Sequence, residues 1–286
     1  MKRILPFDGG GMWGLPVAML CEEVERRLQT PLARHFDLLA GTSTGGLLAL
    51  ALACEIPASE LVRFYLEDGP RIFRLSLGRR LSILRQAKYA AGELERSLKT
   101  AFRARVLRDC RHRVLVTSAD VRSKRTKIFK SWQDQLIPLW EAGRCTSAAP
   151  TFFEPYVGLV DGGVWANNPS MVALTEARLL WPGEALAVLN LGTGQFARET
   201  RSHRTWGLFD WGPVIADLFL ESGFDAATYM AMTWADSCQR IDFSREGANP
   251  AMDDASGRQL ERLREIGHDH ARRAKDVLDF LGRNQA

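Results

Sequence analysis

"HFDLLAGTSTGGLLALALAC", residues 35–54, decides how this chain is read. A short apolar run, a glycine-flanked turn and a longer apolar run predict a buried strand feeding a helix through a tight bend. Within the bend, Gly41-x-Ser43-x-Gly45 is the pattern of a serine on a sharp strand-to-helix turn. The glycines remove side chains that would clash there, so the hydroxyl points outward. By composition alone the pattern arises in roughly one chain in ten of this length. Its strand–turn–helix context moves the reading from a helix cap towards a nucleophile.

The N-terminus repeats the arrangement. "KRILPF" reads as a strand, "DGGG" as a turn and "LPVAMLCEEVERRL" as an amphipathic helix with Pro16 in its first turn. Helices are expected at 58–68 and 92–108, and strands at 113–121, 124–132, 156–163 and 185–194. Strands alternating with helices predict an α/β fold with a mostly parallel sheet covered on both faces. Sites in such sheets form at the carboxyl ends of strands. Three glycine turns, 9–14, 41–46 and 161–163, are placed there. No repeat or linker breaks the chain, so residues 1–286 read as one domain. It closes with a helical segment, 257–281, suited to docking on the domain or to self-association in a homo-oligomer.

Composition excludes little. A content of 46% hydrophobic and 25% charged residues with a net charge of +4 is ordinary for a globular protein. Five dispersed cysteines without a C-x-x-C pair argue against a disulfide framework or a zinc site, and for a reducing cytosol. Cys145 reads as a small packing residue. The first apolar run stops at Asp8, so no signal peptide is expected. The longest apolar run, 46–54, is under half the roughly 20 residues of a spanning helix. A cytoplasmic protein, at most peripheral to the membrane's inner face, is expected.

The opening Gly9-x-Gly11-x-x-Gly14 also fits a dinucleotide fingerprint. That reading needs an acidic residue roughly 20 positions on, at the end of the second strand. Here the second strand has Asp37 near its start and ends in the serine elbow. The N–H groups of Gly10 and Gly11, at a helix N-terminus, suit the oxyanion of a tetrahedral intermediate equally well. A serine nucleophile also needs a base. The five histidines are poorly placed: His112 in an arginine cluster, His203 in a basic loop, His268 and His270 two apart on one helix, His35 at the wrong end of its strand. Asp161 opens "DGGVWANNP" after a strand, at the same sheet end as Ser43; a turn aspartate is the alternative.

"DGGG" (8–11), "GTSTGG" (41–46), "TSAAPTFF" (146–153), "DGGVWANNP" (161–169) and "LNLGTG" (189–194), in this order, resemble the patatin-like phospholipases. "WGLFDWGPVIADLF" (206–219) and "MDDAS" (252–256) extend the resemblance over nearly the whole chain. It implies a three-layer α/β/α sandwich and a lipid acyl hydrolase using a Ser-Asp dyad without histidine, metal or cofactor. By position, Ser43 is then the nucleophile, Asp161 the base, and Gly9, Gly10 and Gly11 the oxyanion hole. Family members usually read D-G-G-G-x-[R/K]-G, whereas this chain has Trp13 at the basic position.

Segment 205–224 carries Trp206, Phe209, Trp211 and Phe219, which read either as a lid or membrane anchor or as packing on the domain. The basic segments 103–113 and 122–130 read as solvated faces, with attraction to anionic headgroups the alternative. The implied partner is membrane phospholipid and not DNA or RNA. Compact bacterial relatives of this kind include antiphage effectors switched on by cyclic nucleotides, so such an activator is an expectation of the resemblance. The rival readings are a lipid- or nucleotide-binding pseudoenzyme, supported by Trp13, and a nucleotide-dependent oxidoreductase, which lacks its acidic partner.

Overall fold

The computed structural model describes residues 1–76, 78, 85–195, 223–249 and 251–284. Seven strands form one sheet: β1 (Lys2–Phe7), β2 (Leu38–Gly41), β3 (Arg113–Asp120), β4 (Arg125–Lys130), β5 (Leu159–Asp161), β6 (Leu186–Leu191) and β7 (Ser237–Ile241). Their order is β4-β3-β2-β1-β6-β7, with β5 beside β3. β1, β2, β3, β6 and β7 run parallel. The expected mostly parallel α/β sheet is what the chain forms.

Alternation along the strands builds two cores. Leu5, Phe7, Leu39, Val114, Val116 and Leu189 face helices α1 (Gly14–Leu28) and α2 (Thr44–Ala53). Ile4, Leu38, Ala40, Leu115 and Val188 face the helix Ser170–Leu180 on the other side. α2 is apolar all round and wholly buried, as a central helix of an α/β core must be.

Several expectations change. The helix expected to reach 108 stops at Phe102, where Arg103 turns into positive φ (54°). The C-terminal segment is two helices, Gly257–Ala271 and Ala274–Arg283; its break turns Phe280 inward beside Val277 and Leu281. β7, absent from the sequence reading, is the mixed-polarity stretch "SCQRI" at the sheet edge, too polar to register as a strand. β5 is three residues long and antiparallel to β3. β2 pairs with β3 as far as Val116, and β5 pairs from Ser118 onward, while β4 occupies β3's other edge. β5 therefore meets the end of β2 head-on, and this carries Asp161 to Ser43.

Candidate active site

Ser43 sits between β2 and α2 at φ 55°, ψ −125°, a backbone region L-residues rarely adopt. The surrounding glycines make this possible by close packing. A Cβ on Gly41 would lie 2.1 Å from the Gly45 carbonyl oxygen, and one on Gly45 would lie 2.3 Å from that of Phe7. Thr146 accepts the Ser43 N–H at 2.9 Å, and the Thr42 hydroxyl donates to the Ala166 carbonyl at 2.6 Å. The elbow is thus tied to the segments before and after β5.

The Ser43 side chain lies against the buried carboxylate of Asp161, whose Oδ1 accepts the Gly163 N–H at 2.7 Å. Burial pushes Asp161 up to about 7, against the Ser43 hydroxyl and the Gly163 N–H, which favour the ionised form. A carboxylate tuned to neutrality can take a proton at neutral pH and return it. The histidines stand apart. His35 bonds Thr30, His112 pairs with Glu55, His268 is exposed and His270 is buried against Phe243; His203 lies outside the described residues.

The glycine loop faces the elbow, and a Cβ on Gly9 would lie 3.4 Å from Ser43 Cβ. Its three glycines are not equivalent. The Gly9 N–H donates to the Asn167 carbonyl at 2.9 Å, so it is engaged within the protein and does not serve as an oxyanion donor. Gly10 and Gly11 open a 3₁₀ turn leading into α1, where the first N–H groups lack intrahelical acceptors. Among the described residues neither N–H has a hydrogen-bond acceptor.

Distant residues hold this loop. Thr193 donates to the Gly9 carbonyl at 2.6 Å, and the Met12 N–H donates to the Met252 carbonyl at 2.8 Å. Asp8, fully buried, accepts from Asn190 at 2.8 Å and pairs with Arg240 at 2.6 Å. Burial pushes its carboxyl up to about 6, with the guanidinium opposing. Arg240 also pairs with Asp242 at 2.6 Å.

Trp13 is fully buried, and the Arg245 guanidinium lies over its ring at 4.7 Å. Arg245 donates to the Thr193 carbonyl at 2.9 Å and to the Thr193 hydroxyl at 3.3 Å. A cation therefore does support the glycine loop, reaching it from position 245 by way of the indole. No local pattern marked Asn190, Thr193, Arg240 or Arg245; the nearest signals were "LNLGTG" and "MDDAS", whose residues turn out to brace this loop.

Beside Ser43 opens a cleft lined by Met12, Leu47, Phe64, Ile72, Phe73 and Phe152 among others. Its lining suits a long apolar chain. Trp206, Phe209, Trp211 and Phe219 lie outside the described residues. Among the described residues no His/Cys/Asp/Glu cluster could hold a metal ion, and no helix is long and apolar enough to cross a membrane.

Residues 5–174 match the family model described as patatin-like phospholipase. The chain is 33% identical over 245 residues to a Pseudomonas aeruginosa protein named cGAMP-activated phospholipase, covering 80% of this chain and 74% of that one. It is 32% identical over 282 residues to patatin-like protein 1 of Oryza sativa subsp. indica, covering 78% and 68%. Among solved structures, VipD from Legionella pneumophila shares the fold at a TM-score of 0.51 and 12% identity, over 96% of this chain and 67% of that one.

Proposed function

This chain belongs to the patatin-like phospholipase family and is a serine ester hydrolase; from that premise we propose that a Ser43–Asp161 dyad cleaves fatty-acyl esters of membrane phospholipids. Asp161 takes the hydroxyl proton as Ser43 Oγ attacks the acyl carbonyl. The N–H groups of Gly10 and Gly11 receive the developing oxyanion. Collapse breaks the ester bond, and the leaving alkoxide takes the proton from Asp161 as the lysolipid departs. Water, deprotonated by Asp161, then attacks the acyl-enzyme; fatty acid leaves and Ser43 regains its proton.

A carboxylate is a weak base for a hydroxyl, so this chemistry depends on fixed geometry and a dry site. The supporting observation is the Ser43 hydroxyl lying against a buried carboxylate beside an apolar cleft. Fatty acid release from mixed phospholipid vesicles, compared between wild type and Ser43→Ala, tests it. Release that persists in Ser43→Ala refutes the dyad.

A second element rests on the Pseudomonas aeruginosa relative, whose name describes activation by cGAMP. The proposal therefore includes control by a cyclic nucleotide, and with it a part in defence against phage. An enzyme that degrades membranes suits such restraint. Vesicle hydrolysis that is unchanged by cGAMP and by other cyclic di- and trinucleotides removes this element and leaves the dyad standing.

A further inference from the structure

β3 runs four residues past the point where β2 ends, and the β3–β4 hairpin projects from the same sheet end that carries Ser43. The hairpin is tied to the turn preceding β5, because the Val121 N–H donates to the Gly158 carbonyl at 3.0 Å. Apolar side chains stand bare here: Val121 is 47% exposed, Val157 72% and Val164 53%. Trp165, its indole N–H bonded to the Ser118 carbonyl at 2.9 Å, lies beside them, partly exposed.

Val157 adds a separate observation. It holds φ 46°, a left-handed conformation that is strongly disfavoured for a β-branched residue, although its side chain points into solvent. Packing does not account for a valine there, where glycine or asparagine would be relaxed. A strained, exposed apolar residue is a reason to look for function.

The charge around these tips is mostly positive. Among the described residues, Arg122, Lys124 and Arg125 have no carboxylate within ion-pair distance, whereas Lys127 and Lys130 further along β4 pair with Asp134 and Glu176, each at 2.6 Å. Of the nearby acids, Asp120 is occupied by its own turn, accepting from the Arg122 N–H and the Ser123 hydroxyl, each at 2.8 Å. Glu154 lines the groove below, with Arg85 on the same groove.

We infer that this end of the molecule docks on an anionic phospholipid bilayer. Val121, Val157 and Val164 enter the interface, Trp165 lies at headgroup depth, and Arg122, Lys124 and Arg125 meet the phosphates. The inference rests on the lipid-hydrolase reading and gives it a direction: the docking face and the nucleophile share one end of the sheet, so docking brings ester bonds to the cleft.

The experiment is flotation of the full chain, carrying Ser43→Ala to prevent hydrolysis, with vesicles of phosphatidylcholine alone or mixed with phosphatidylglycerol. Val121→Asp/Val157→Asp should weaken binding to both about tenfold or more. Lys124→Gln/Arg125→Gln should weaken binding to phosphatidylglycerol vesicles about 25-fold and leave the weaker phosphatidylcholine binding alone. Val157→Gly should weaken binding while raising Tm, separating lost insertion from lost folding. Parental binding by both double variants overturns the inference. In the otherwise wild-type chain the same double variants should turn over a water-soluble short-chain ester normally. If the wild type itself fails on that ester both without and with the cyclic di- and trinucleotides, the dyad reading falls, while the flotation result still judges the docking face.

Discussion

Two glycine turns at the same sheet end form this site, and they are built differently. The elbow at 41–46 is made largely by its neighbours in sequence: Gly41 and Gly45 pack backbone on backbone, and Ser43 is bent because nothing else fits. The loop at 8–14 is equally glycine-rich but is held from far away, by Asn167, Asn190, Thr193, Arg240, Arg245 and Met252. The bend at Ser43 is therefore set mainly within the elbow and anchored from the flanks of β5, whereas the proposed oxyanion donors depend on distant groups throughout. Damage to the elbow should act on chemistry outright, whereas damage to the loop's supports should degrade it by steps.

The largest effect is expected at the elbow. Ser43→Ala should lower vesicle hydrolysis by about 10⁴-fold or more and abolish fluorophosphonate labelling. Next comes Asp161→Asn, with a loss of about 10³- to 10⁴-fold and an opposite effect on stability. Asp161 titrates near 7 in the folded protein, above its unfolded value, because burial disfavours its charge. Its contribution to stability is thus complete below about pH 4 and is lost as pH rises to about 7. Asparagine escapes that loss, so above pH 7 the variant should be more stable by about 2–4 kcal/mol in urea unfolding. In the wild type, kcat/KM should fall about tenfold per pH unit below 7 as the base protonates.

At the loop a smaller, graded effect is expected. Arg245→Met leaves every group of the dyad in place but removes the donor to Thr193, and with it the grip on the Gly9 carbonyl. We expect kcat to fall about 10- to 100-fold with KM within about threefold, because the oxyanion donors act in the transition state. Arg245→Lys should recover part of the loss. Trp13→Arg restores the residue usual in the family yet should make matters worse. It would place a second guanidinium in a fully buried position against Arg245, at a cost of about 3 kcal/mol or more. A Trp13→Arg enzyme of normal activity and Tm would show that the loop is locally determined after all, and the contrast with the elbow would collapse.

The same contrast explains what was legible in the sequence. Ser43, α2 and the parallel strands were readable because glycine spacing and apolar runs encode them within a few residues. Asp161 does lie beside Ser43, but it gets there on β5, which is antiparallel to β3 and arrives head-on, a geometry that the sequence does not reveal. Gly9 was grouped with Gly10 and Gly11 because spacing does not reveal that its N–H is taken by Asn167. The brace on Trp13 was invisible because positions 13 and 245 meet only in the folded sheet. So do the free thiols of Cys54 and Cys110, 3.3 Å apart although widely spaced in the chain.

The smallest effect on catalysis is expected at His270, and for that reason it tests whether the chemistry runs without histidine. The ring is buried against Phe243, and neither nitrogen has a hydrogen-bond partner among the described residues. Burial holds its pKa down at about 4, so it is neutral when folded. Stability from this group is present above about pH 6.5 and is lost as pH falls towards 4, because the unfolded chain takes up the proton first. His270→Leu should change kcat/KM less than twofold at any pH while removing about 2–3 kcal/mol of the acid destabilisation between pH 7 and 4. Activity that falls in this variant without a matching fall in stability would mean that the C-terminal helices reach the site chemically. His270 belongs to the packing around the glycine loop, as the proposed Ser43–Asp161 dyad requires.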